Sequence, residues 1–97
     1  MGKKTPAQLQ KAICKYEVDR KSPTLRQFKL ELIDSGLYSG VVQAIDELTG
    51  VDKEKAEVEW NSSDVVGRHE GWIVSILESL GLTPEEMDEL FYRALGM

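Results

Sequence analysis

Apolar residues return along this chain at intervals of three and four, the spacing of one helix face. Leu9, Ile13 and Tyr16, with Val18 beside them, predict a first helix from Thr5-Pro6 to Arg20. Lys21-Ser22-Pro23 ends it, because the residue before a proline avoids the helical region. Thr24 is the cap of a second helix, with Leu25, Phe28, Leu32 and Ile33 inward and Arg26, Lys29 and Glu31 outward. Asp34-Ser35-Gly36 breaks it. A third starts at Leu37 or Tyr38 and buries Val41, Val42, Ile45 and Leu48. Gly40 weakens it locally, and Thr49-Gly50 ends it.

Asp52 is the expected cap of a short fourth helix, which buries Ala56 and Trp60 and wets Lys53, Glu54, Lys55, Glu57 and Glu59. Reading Ala56, Val58 and Trp60 as a strand is the weaker alternative, since no second strand is available to pair with it. Asn61-Ser62-Ser63-Asp64 reads as a turn or a new cap, and Val65 to Gly71 as an irregular connection. Trp72, Ile73, Ile76, Leu77 and Leu80 then mark a fifth helix.

The clearest local signal is Leu80-Gly81-Leu82-Thr83-Pro84-Glu85-Glu86. Gly81 suits the left-handed residue that closes a helix. Thr83, with Glu86 three residues on, has the spacing of a capping box, and Pro84 fits a first turn. A sixth helix follows, with Met87, Leu90, Phe91, Ala94 and Leu95 on one face, and Gly96 is its stop. The expectation is one all-α domain over residues 1–97, of five to six short helices around one core. Its last two helices should form a hairpin across Gly81-Leu82.

Charge adds a polarity that the apolar pattern does not show. Residues 1–30 carry +6 and residues 31–97 carry −11, for a net −5. Such a split marks either a bipolar contact surface or two ends that attract each other, within the fold or between copies. A small domain gains stability from a partner surface, so a homo-oligomer is among the expectations. Cys14, the single cysteine, excludes an intrachain disulfide and fits a reducing compartment. It reads as a buried spectator, with a reactive thiol near Lys11 and Lys15 as the weaker alternative. No apolar run approaches a membrane span, and Lys3-Lys4 has no apolar region behind it to make a signal peptide.

Candidate chemistry is sparse. His69 and Cys14 stand alone and far apart, so neither a nucleophilic pair nor a zinc site is expected. No phosphate loop or dinucleotide fingerprint is present, and no cofactor is expected. Residues 24–49 could be read as a helix–turn–helix. Its second helix would present Gln43, Asp46 and Glu47 with no base, which phosphates repel, so specific nucleic-acid binding is not expected. Trp60 and Trp72 flank the irregular stretch. They read either as core or as interface anchors. With Arg68 and His69 between them they form the candidate protein-contact set. Arg68 is alternatively a salt-bridge partner of Asp64 or Glu70.

An ordered set of short pieces gives a further lead. It comprises Leu25-Arg26-Gln27-Phe28 with Leu32, Gly36-Leu37-Tyr38 with Val41 and Ala44-Ile45, and Ala56-Glu57-Val58-Glu59-Trp60. Val66 with Arg68-His69-Glu70 follows, then Leu80-Gly81-Leu82-Thr83 with Met87-Asp88-Glu89-Leu90-Phe91 and Ala94. From Leu25 to Leu95 the chain resembles the small tail-associated proteins of tailed bacteriophages and prophages, the tail-fibre or tail-assembly accessory proteins. The departure is after His69, where Glu70-Gly71 replaces the proline of that pattern. The basic N-terminal residues 1–23 fall outside it. The resemblance implies a non-enzymatic role through contacts with tail-fibre or baseplate components. It also implies synthesis in the host cytoplasm and a place in the virion tail. The alternative is an acidic phage-encoded inhibitor of a host protein, in the form of a DNA-surface mimic.

Overall fold

The computed structural model describes residues 13 and 15–97. The expected start of the first helix at Thr5-Pro6, Leu9 and Cys14 lie outside them. The helices are α1 (15–20), α2 (Leu25–Asp34), α3 (Tyr38–Glu47), α4 (Gly50–Ser62), α5 (Gly71–Ser79) and α6 (Pro84–Ala94). The described residues form an all-α fold, with a lone antiparallel bridge between Thr24 and Val65. Around that bridge Leu25 N–H donates to Asp64 O at 3.1 Å, and Val66 N–H donates to Pro23 O at 2.9 Å. The loop before α2 is thereby tied to the loop after α4, with Pro23 and Val66 fully buried between them.

The helix ends follow local chemistry. Thr24 takes the Gln27 N–H on its hydroxyl while the Gln27 side chain accepts from Thr24 N–H, a complete capping box. Thr83 and Glu86 make the same pair at α6, with Pro84 in the first turn. Gly81 has φ +88°, the left-handed value at which a Cβ is strained. Gly50 departs from expectation. At φ +62° it opens α4 and does not close α3, and Thr49, not Asp52, holds the cap position. The helix called short runs 13 residues.

Phe28, Leu32, Val41, Ala56, Val66, Ile73, Leu77, Leu90, Phe91 and Ala94 form the centre of the core. Phe28 and Phe91 meet with ring centroids 4.8 Å apart, so α2 and α6 share the deepest contact. The turn at Gly81 forms as expected, but the helices it joins do not pack mainly on each other. α6 lies chiefly against α2, and α5 against α3 and α4, so the C-terminal hairpin exists as a connection more than as a packed unit. α3 also lies against the end of α5: a Cβ at Gly40 would meet Leu80 at an ordinary 3.4 Å.

Several inward assignments are corrected. Ile13 and Tyr16 are 47% and 57% exposed, and Val18 is the α1 residue in the core. Ile33 and Val42 are exposed, because Ile33 sits roughly 150° and Val42 roughly 80° off the face centred on its buried neighbours. Glu31, placed outward by the sequence, is buried. It lies three residues after Phe28, on the core face, is paired there with Arg93 Nε at 3.2 Å and accepts a hydrogen bond from the Ser35 hydroxyl.

Candidate interaction site

The four residues singled out from the sequence do not form one surface. Trp60 is buried, its ring tilted against Tyr38 at 5.5 Å, with Lys29 Nζ 4.6 Å from the ring centroid. It fastens α4 to α3 and α2, and its α4 position four residues after Ala56 turns both inward.

Arg68 is also buried, and its partner is neither Asp64 nor Glu70. Its Nε donates to Asp88 Oδ1 at 2.7 Å, and a terminal nitrogen donates to Pro84 O at 3.1 Å. The planar guanidinium thus clamps the 65–70 loop to the first turns of α6. Glu70 is engaged elsewhere: its carboxylate accepts the Trp72 indole N–H at 2.9 Å. The sequence neighbours lose to a residue twenty positions away because α6 brings Asp88 under the loop.

His69 is exposed, and its Nε2 donates to Asp19 Oδ1 at 2.7 Å in the tautomer protonated there. This contact ties α1 to the loop before α5. The hydrogen bond from His69 is the main cause holding the Asp19 carboxyl below its usual range. Slight desolvation opposes it, and Lys15 adds to the lowering. Here an imidazole meets one carboxylate on an open surface. No group of three or more His, Cys, Asp or Glu among the described residues is placed to hold a metal ion.

Trp72 alone faces a depression. A groove of about 410 Å³ runs between α3, α4 and α5, with Ala44, Leu48, Ala56 and Ile76 beneath and Asp52, Lys55 and Trp72 along its side. A more open depression continues past Trp72 and Lys55 to Glu54, Val58 and Glu59. Trp72 is therefore a ridge between two hollows. Its ring is half-buried and its N–H is fixed by Glu70, so the side chain is held in one orientation. Small residues make the hollows: Ala44 and Ala56 stand where larger side chains would fill the space between helices. Val51 and Val58 add exposed apolar surface on the same helix as Lys55.

Sequence spacing found Trp72 but missed Ala44, Leu48, Lys55 and Asp52 as its neighbours. The legible trace was the pair of alanines on facing helices, which periodicity treats as ordinary core. No helix among the described residues is long and apolar enough to cross a membrane. Compared with protein-family models, curated proteins and solved structures, the chain matches none, so its placement rests on its own residues.

Proposed function

We propose that the chain is a non-enzymatic protein-contact domain, an accessory or assembly factor for the tail fibre or baseplate of a tailed bacteriophage. The contact part rests on one observation. A pinned, half-exposed tryptophan borders an apolar groove with a charged edge, the composition of an interface centre with a polar rim. The phage setting rests on the ordered resemblance from Leu25 to Leu95. In that setting the chain meets its partners in the host cytoplasm, and the virion tail is where the assembled product resides.

Co-expression with tail-fibre and baseplate products, followed by pull-down, tests the reading. The wild-type chain should retain a tail component, and Trp72→Ala should lose it while keeping its helical spectrum. Absence of a complex with every tail component, together with normal particles after gene deletion, would refute it.

A further inference from the structure

We propose that the groove beside Trp72 accepts a second copy of this chain, which enters with the outward face of its α1. The proposal rests on the reading of the groove as a protein-contact site and names the occupant.

The first argument is the direction of α1. Val18 is buried in the core, and Tyr16, two residues earlier, lies about 200° round a helix from one two positions on. The docked face and the Tyr16 face are therefore nearly opposite. Ile13 and Tyr16, three apart, share the outward face and are about half exposed. Sequence spacing extends that stripe back to Leu9. Arg20 continues it: its guanidinium lies 4.8 Å from the Tyr16 ring centroid and donates to the Tyr16 hydroxyl at 2.9 Å. The result is an apolar face carrying its own aromatic and cationic group, the residue types enriched in interface anchors.

The second argument is charge. The segment bearing this face, residues 1–23, carries six bases against Glu17 and Asp19, a net +4. The hollows are lined by Asp52, Glu54 and Glu59, with Lys55 the single base among their lining residues. Within one chain the described lysines of α1 and its exit do not use that charge: Lys15 pairs with Asp19 and Lys21 with Glu17 on α1 itself. Such exposed pairs contribute little and are readily exchanged for a partner's acids. The third argument is shape. The alanine floor leaves room for a branched or aromatic side chain, and α1 offers one of each.

Helix face and groove are different surfaces, so the contact is heterologous. Each pairing leaves one free face and one free groove, and the series continues as a ring or a filament.

Sedimentation of the full-length chain tests this. Wild-type protein should associate as concentration rises to the millimolar range at about 0.01 M salt, and dissociate near 1 M, where the screening length falls from about 30 to about 3 Å. Ile13→Asp/Tyr16→Asp removes the helix face, and Ser75→Arg fills the groove from an exposed position. Each variant alone should be monomeric. Mixed, they should form a discrete one-to-one pair, since one retains a groove and the other a helix face. A monomeric wild type at low salt, association surviving in either variant, or mixed variants that do not pair would each overturn the proposal. The broader reading is separable. If wild type is monomeric yet captures a tail component that Ser75→Arg loses, the second-copy proposal fails and the contact site stands. If nothing is captured either, both fall.

Discussion

Removing the Arg68 side chain should destabilise the domain by about 3 kcal/mol. Its guanidinium makes two hydrogen bonds, to the Asp88 carboxylate and the Pro84 carbonyl, at 2.7 and 3.1 Å. Bonds to a charged group contribute about 1.5–3 kcal/mol each. Losing one member of a buried ion pair costs about 3–5 kcal/mol because the other charge stays buried. Arg68 is 7% exposed but Asp88 is 16%, so a stranded Asp88 recovers some hydration and Arg68→Ala belongs at the low end. Arg68→Lys should not rescue it, since one ammonium cannot span both acceptors in the fork geometry. Asp88→Ala should also cost about 3–5 kcal/mol, because a guanidinium cannot neutralise itself by deprotonation. The double variant should cost less than the sum by about 1–3 kcal/mol, since each substitution removes the same contact. Urea unfolding monitored by circular dichroism, with a common m-value, measures all four. Additivity within about 0.5 kcal/mol, or an Arg68→Ala loss below about 1 kcal/mol, would refute the clamp.

Other expectations concern separate parts of the fold. Phe91→Ala should cost about 3–5 kcal/mol in the same assay, because Phe91 is fully buried against Phe28; a shift below about 1 kcal/mol would remove it from the core. Gly40→Ala should stabilise by about 0.5–1 kcal/mol, since the new methyl meets Leu80 at an ordinary 3.4 Å while helix propensity improves; a loss of stability would mean that α3 and α5 cannot accommodate it. The Asp19 carboxyl should titrate, by carbon-detected NMR, below the usual carboxylate range, and His69→Ala, which removes the donor, should move it back up. A depressed folded value means that its contribution is present above the unfolded pKa and is lost as pH falls through the folded one. An Asp19 midpoint unchanged by His69→Ala would remove this α1 contact.

What the sequence revealed and what it withheld divide along physical lines. Thr24, Gly81 and Thr83 act through the backbone within four residues, so their effects could be read directly. The α6 face was also legible, because Met87, Leu90, Phe91 and Ala94 all turn toward one neighbour. Periodicity shows which residues share a face but not what that face meets. Ile13 and Tyr16 share a stripe, yet α1 docks through Val18. Glu31 sits on the core face of α2, and only the distant Arg93 makes that tolerable. Arg68 found its counter-charge on α6 and not beside it, a choice made by tertiary packing. The groove was the hardest to foresee. It is made by what Ala44 and Ala56 leave empty, and no spacing rule registers missing volume.

The central claim is that the Trp72 groove is a protein-contact site, and binding to tail-fibre and baseplate products by immobilised chain tests it most directly. Wild-type chain should capture a tail component. Trp72→Ala, folded by its helical spectrum, should weaken that capture by about 30-fold, the change expected of a 2 kcal/mol anchor. Equal capture by a folded Trp72→Ala chain would contradict the account.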